Sequence, residues 1–207
     1  MQLTQFLAGQ AKMPDGFFGR HIMGRIFDVA NAPLNDFALG ILDLKASDKV
    51  LEIGFGRGGL LSRMAKDAKQ GLVAGIDLSR GMVDAARKKN RHFIEEGMVK
   101  VDQANLQAIP YPDRVFDKVF TGNTIYFWPD PVNDIHEIKR VMKPGAKLVI
   151  GFRTKEQMEN IPLTRYEFRL YSEEDVCQLL CVAGFSEVSV MEKPQRGFNS
   201  FCAVATK

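Results

Sequence analysis

The sequence predicts an α/β fold: a mostly parallel seven-stranded sheet with helices on both faces, closed by an antiparallel hairpin, with a helical cap at the N-terminus. Three observations carry this. From Lys49 onward, short apolar runs alternate with helix-like stretches, the pattern of strands joined by helical crossovers. The first run, with Val50, Leu51 and Ile53, opens straight into a turn holding Gly54, Gly56, Gly58 and Gly59, and a helical pattern begins at Leu60. The last two runs, 186–191 and 198–205, have no helix between them and pair as a hairpin.

The elements follow in order. Residues 1–46 hold no strand-like run and form the cap; residues 47–207 form the main domain. In the cap, residues 16–30 read as an amphipathic helix with Phe18, Ile22, Ile26 and Val29 on one face, opposite Arg20, His21 and Arg25. The run Asn31-Ala-Pro-Leu-Asn ends it, and a second helix over 34–44 presents Phe37, Ile41 and Leu44. Such material builds either a fixed cap or a lid that closes on a ligand. Then come strand 50–54, helix 58–68, strand 72–77, helix 80–95 and strand 98–103. After an irregular stretch follow strand 116–121, helix 131–142, a Lys143-Pro-Gly145 turn and strand 147–152. The final helix, 173–183, takes Ser172 as N-cap with Asp175 three residues on and ends at Gly184.

Composition narrows the function. At 207 residues the chain can bury one α/β domain with a small extension, and a net charge of +3 is too small to argue for nucleic acid or an anionic membrane. The cluster Arg87, Lys88, Lys89, Arg91 reads as the wet face of a helix. Cys177, Cys181 and Cys202 make no disulfide framework and have no histidine at metal-ligand spacing, so a reducing cytoplasm is expected and a metal is not. No apolar run reaches the length of a membrane span, and the N-terminus lacks a signal-peptide core.

The glycine turn is where chemistry enters. Glycines reach positive φ and let a ligand lie on bare backbone, while the helix start offers unpaired N–H groups. Gly54-x-Gly56-x-x-Gly59 fits a dinucleotide fingerprint, and Glu52-x-Gly54-x-Gly56-x-Gly58 fits the nucleoside loop of S-adenosylmethionine (SAM) enzymes. Asp77 ends the second strand, beside the turn at the carboxyl edge of the sheet, where a carboxylate can accept both hydroxyls of a ribose.

Four stretches decide between the two: VLEIGFGRGG (50–59), GIDLSRGMV (75–83), ANLQAIPYPDRVFDKVF (104–120) and IKRVMKPGAKLVI (138–150). Together they resemble the class I SAM-dependent methyltransferases, Rossmann-like enzymes, and within them the small-molecule branch with the ubiquinone and menaquinone C-methyltransferases. The similarity runs from about Leu34 to the C-terminus. It implies SAM as cofactor, a small-molecule acceptor and S-adenosylhomocysteine as product. A non-catalytic SAM-binding module remains an alternative, and an NAD-linked oxidoreductase a remote one.

The resemblance also implies roles. Glu52 would orient the methionine amino group, Gly54, Gly56 and Gly58 would line methionine and ribose, and Asp77 would take the ribose hydroxyls. Leu78 and Met82 would pack on the adenine. Where the family usually has an aspartate for the adenine amino group, this chain has Asn105, which can accept the same bond without charge. Leu106 would offer its backbone N–H, and Asn123 would lie near the methionine. Nearby Asp102 is a substitute for Asn105 if the loop shifts. The stretch TGNTIYFWPDP (121–131) stands where the family places its reaction centre and lacks the Asp/Asn-Pro-Pro-aromatic signature of base-flipping enzymes. Phe18, His21, Tyr126, Arg153 and Tyr166 are the candidates for contact with substrate. Tyr126 and His21 are the nameable proton acceptors, each more readily explained as positional, and the catalytic group stays open.

Overall fold

The structure is a computed structural model and describes residues 3–12 and 23–207. Helix α1 (Leu3–Lys12) and helix α2 (Gly24–Leu42) precede the sheet. The sheet has the order β3-β2-β1-β4-β5-β7-β6. Its strands are β1 (Lys49–Ile53), β2 (Leu72–Asp77), β3 (Val99–Gln103), β4 (Phe116–Gly122), β5 (Met142–Phe152), β6 (Ser186–Lys193) and β7 (Ser200–Thr206). β1 to β5 run parallel, and β7 pairs antiparallel with both β5 and β6. The seven strands, the mixed sheet and the terminal hairpin are those read from the sequence.

Both faces of the sheet are covered, which is why its central strands read as apolar runs rather than alternating ones. On one face Val50, Val73, Phe120 and Val149 pack against α2, α3 (Gly59–Asp67) and α4 (Arg80–Lys89). On the other, their neighbours Leu51, Ala74, Val119 and Leu148 pack against α6 (Pro131–Val141) and α8 (Glu173–Val182). The short helices α5 (Arg91–Glu95) and α7 (Lys155–Met158) complete the set. The chain leaves β1 toward β2 on one side and returns from β3 to β4 on the other. That reversal opens a crevice at the carboxyl ends of β1 and β4, the ligand position in sheets of this kind. Ile53 stands in register with Ile76 and Thr121, so the turns that follow β1, β2 and β4 lie side by side.

Three elements depart from the sequence reading. The cap helices expected over 16–30 and 34–44 meet in a single helix, α2, which runs through Pro33. Leu34, Ala38 and Leu42 are buried at four-residue intervals against the sheet, and that packing outweighs the helix-breaking run around Pro33. The apolar face expected at Ile26 and Val29 is exposed instead, at 53% and 76%. The helix expected over 80–95 breaks at Asn90, whose buried side-chain amide donates to the Ala86 carbonyl at 2.9 Å and to the Gly58 carbonyl at 3.0 Å. The backbone N–H of Asn90 also closes onto the Ala86 carbonyl, at 2.9 Å, so that oxygen takes both donors of the capping asparagine. Finally, β5 starts at Met142 and absorbs the Lys143-Pro-Gly145 stretch, with a register shift opposite Phe116 to Lys118. Phe18 and His21 lie outside the described residues.

Candidate active site

The glycine turn takes its shape from backbone that only glycine supplies cheaply. Gly54, Gly56 and Gly58 have φ of +73°, +55° and +69°. A Cβ on Gly54 would collide with the Thr124 methyl, and one on Gly58 would press on Ala86 and Asn90. A Cβ on Gly56 would meet nothing within 4 Å, so that peptide faces open space in the crevice. The turn is pinned by Gly54 N–H donating to the Ile76 carbonyl at 2.8 Å and by Gly58 N–H donating to that of Phe55 at 2.9 Å.

Two carboxylates flank it. Asp77 Oδ2 accepts from Gly56 N–H and Oδ1 from Ser79 N–H, both at 2.9 Å. Each oxygen keeps a second acceptor position, enough for a pair of hydroxyls. Burial pushes Asp77 up to about 6, against the pull of those two N–H groups. Glu52 is 5% exposed, and its Oε2 is buried with no hydrogen-bond partner. Burial and the neighbouring Asp77 charge push it up to about 8. Two acids in one narrow crevice, one with an orphaned oxygen, make a place suited to a cation that carries hydroxyls.

Helix α2 covers this shelf. Its Asp28, Asn31 and Asn35 line the crevice opposite Glu52 and Gly56. Asn31 Oδ1 accepts from the Asn123 amide at 2.9 Å, and the Arg153 guanidinium donates to the Ala30 carbonyl at 3.2 Å. Asn123, at φ +57°, follows β4. The Tyr126 hydroxyl accepts from Arg153 N–H at 2.5 Å and lies 3.1 Å from the Arg153 carbonyl and 3.3 Å from Asn123 Oδ1. With α2 in place the cavity measures about 90 Å³, whereas sites for drug-sized ligands span roughly 300–1,000 Å³.

Residues 51–150 match the model of a family described as "Methyltransferase domain". An uncharacterized methyltransferase, YdaC of Bacillus subtilis, is 28% identical over 186 residues, 90% of this chain and 98% of its own length. The demethylmenaquinone methyltransferase of Lactobacillus johnsonii is 34% identical over 110 residues, 53% of this chain and 45% of the relative, so the chain spans under half of that protein. The crystal structure of a SAM-dependent methyltransferase from Aquifex aeolicus superposes with a TM-score of 0.73 at 29% identity, covering 88% of this chain and 95% of that one. The chain belongs to the SAM-dependent methyltransferases. Its cofactor is SAM, and the oxidoreductase reading of the glycine turn is set aside.

In this methyltransferase the other expected cofactor contacts spread along the same edge. Leu78 is 54% exposed at the rim, and Met82 is buried and lines the crevice. Asn105 is exposed and caps a short 3₁₀ turn, Leu106–Ala108, its Oδ1 accepting from Gln107 N–H at 3.2 Å. Leu106 is half-buried beside it. Asp102 is engaged elsewhere, accepting the Tyr111 hydroxyl at 2.7 Å. Ser79 caps α4 through Met82 N–H, which leaves Asp77 free of that duty. Tyr166 stands half-buried at the end of a 3₁₀ turn, Pro162–Arg165, against which α1 packs.

The sequence reading missed four contributors. Asn90 clamps the Gly58 carbonyl from α4, and its signal was a lone asparagine ending a helical run. Thr124 fills the space under Gly54. Arg57, inside the glycine turn, is paired at 3.3 Å with Asp28. The polar stripe Asp28, Asn31 and Asn35 was hidden because the helix was judged by its apolar residues. Its spacing of three and four was there to be read.

Proposed function

We propose that this methyltransferase transfers the methyl group of SAM to a small molecule in the cytoplasm, leaving S-adenosylhomocysteine, with residues 1–46 acting as a cap over the cleft. The observation that carries the reading is the pairing of an open glycine peptide with two flanking acids, one of them orphaned, at the point where the sheet reverses. When bound, SAM supplies a methyl group already activated on a sulfonium, which departs as a neutral thioether. The protein therefore has to hold and aim rather than activate.

In this reading Asp77 takes the ribose hydroxyls with its two spare acceptor positions, and Glu52 offers Oε2 to the ammonium. Gly56 supplies bare backbone, Leu78 and Met82 sandwich the adenine, and Asn105 with Leu106 meets its edge. Asn123 orients the methionine end. Tyr126 is assigned a positioning role, because its hydroxyl is spent on the Arg153 backbone and burial raises it well above the ordinary phenol range. Arg153 and Tyr166 remain candidates for the acceptor side. An acceptor atom that carries an exposed lone pair needs no protein base: the pair forms the new bond to carbon while the carbon–sulfur electrons stay on sulfur.

Several features support a small acceptor. The net charge of +3 offers little for a polyanion, the 121–131 stretch lacks the signature of base-flipping enzymes, and one relative's name gives it a quinone-type substrate. The three described cysteines are free, as a reducing compartment would keep them. Among the described residues no helix is long and apolar enough to cross a membrane. The test incubates the purified protein with SAM bearing a deuterated methyl group and a cell extract, then fractionates by size. Label in the small-molecule fraction supports the reading; label in protein or nucleic acid, or none with SAM intact, refutes it.

A further inference from the structure

Arg57 stands between Gly56 and Gly58, so its backbone belongs to the turn and its side chain lines the crevice. Its guanidinium Nη1 lies 3.3 Å from Asp28 Oδ2 of α2, with the two side chains 25% and 39% exposed. Across the crevice Glu52 Oε2 has no partner. The cavity between α2 and the glycine turn measures about 90 Å³, against roughly 300–1,000 Å³ for sites that hold drug-sized ligands.

We propose that Arg57 receives the α-carboxylate of the cofactor's amino-acid end, and that Asp28 holds this receptor shut until the cofactor displaces it. The inference rests on the cofactor reading above and deepens it. One carboxylate replaces another on the same guanidinium, so Arg57 is never left uncompensated in the crevice. Asp28, already two-fifths exposed, returns to water at small cost. The arriving ammonium meets the Glu52 oxygen that has nothing to bind. The zwitterionic end of the ligand thus takes over a guanidinium now held by Asp28 and meets a buried acceptor oxygen that has no partner.

The geometry of α2 suits such an exchange. Pro33 has no N–H to close the helix onto the Val29 carbonyl, so the segment Gly24 to Pro33 can bend away from the anchored part. Beyond Pro33 the helix is fixed to the sheet by Leu34, Ala38 and Leu42. Before it, the polar ties to the rest of the molecule among the described residues include Asp28 to Arg57, Asn31 to Asn123, and Ala30 to Arg153.

Calorimetry on the whole protein with two stable nucleosides tests this: S-adenosylhomocysteine, which has the amino-acid end, and 5′-methylthioadenosine, which lacks it. Arg57→Gln is expected to weaken S-adenosylhomocysteine by about tenfold or more and to leave 5′-methylthioadenosine no weaker than before. Asp28→Asn is expected to tighten S-adenosylhomocysteine by about two- to fivefold, since it removes the competitor. Equal weakening of both nucleosides by Arg57→Gln overturns the proposal. So does weaker binding in Asp28→Asn, which would make Asp28 a ligand rather than a gate. Should Arg57→Gln fail to fold, Arg57→Lys carries the same comparison with a smaller loss, because it keeps the charge without the planar fork. Wild-type protein that binds neither nucleoside overturns the cofactor reading itself, and this inference with it.

Discussion

The two walls of the crevice are built in different ways. The shelf formed by the β1 turn and the end of β2 is local: Glu52, Gly54, Gly56 and Asp77 come from two adjacent parallel strands and the turn after the first, and the turn's N–H groups, donating to the Ile76 carbonyl and the Asp77 carboxylate, set their geometry. The facing wall is assembled from distant pieces. Asn31, Asn123 and Arg153 lie in three separate elements, joined by side-chain contacts across 92 and 123 positions. A shelf shaped by backbone tolerates little substitution. A wall made of side chains can be taken apart one bond at a time, which is what a cover must allow.

The harshest way to break this contrast is at the shelf. Gly54→Ala puts an L side chain at φ +73° and drives its Cβ into the Thr124 methyl. The left-handed conformation alone costs about 1–2 kcal/mol, and the collision raises the total to roughly 2–4 kcal/mol of stability with loss of nucleoside binding. Adding Thr124→Ser deletes the offending methyl and should recover the collision part only. Denaturant titration of the three proteins reads the split, and full recovery would mean that φ is not the constraint.

Glu52 gives the next effect, and its sign follows from burial. Its pKa is 4.5 in the unfolded chain and about 8 in the folded one, so the native state holds the extra proton across that window. The ligand-free protein therefore loses this contribution progressively as pH rises from about 4.5 to about 8. Glu52→Gln has nothing to ionise. Its melting temperature should match the wild type near pH 4.5 and exceed it increasingly toward pH 8, even as it binds S-adenosylhomocysteine more weakly. Parallel melting curves across the window would show that Glu52 is ionised and satisfied throughout.

Asp77→Ala sharpens the shelf further. It removes the acceptor of Gly56 and Ser79 N–H as well as the proposed ribose partner. Binding of S-adenosylhomocysteine, measured by calorimetry, should weaken by about tenfold or more, in line with charge-assisted bonds of roughly 1.5–3 kcal/mol. Unchanged affinity would move the ribose elsewhere.

The contrast also explains what was legible in the sequence. Strands, the closing hairpin and the shelf residues could be read because each depends on short-range pattern: an apolar run, a glycine spacing, an acid at a strand end. The facing wall could not. The run around Pro33 reads as a stop, and only the burial of Leu34, Ala38 and Leu42 against a sheet formed later in the chain makes α2 continuous. Asn90 falls inside the helix expected over 80–95, and nothing local places the Gly58 carbonyl, 32 positions away, against it. Pairings set by tertiary contact leave no periodic trace, so Asp28 and Arg57 read as ordinary charges.

Tyr126→Phe probes the far wall with the smallest expected effect. The lost hydroxyl accepts Arg153 N–H and stands beside the Arg153 carbonyl and Asn123, so its removal leaves a partly buried donor without a partner. That costs about 1–3 kcal/mol of stability, the range for orphaning such a group. Because no shelf residue touches this hydroxyl, affinity for S-adenosylhomocysteine should stay within about twofold, a change below 0.5 kcal/mol. Once an acceptor is known, turnover should fall modestly with its pH profile unmoved, as befits a residue that shapes the loop after β4. A large loss of turnover with a displaced pH profile and undiminished stability would instead make Tyr126 a proton acceptor, and the far wall would then be doing chemistry rather than holding its own pieces together.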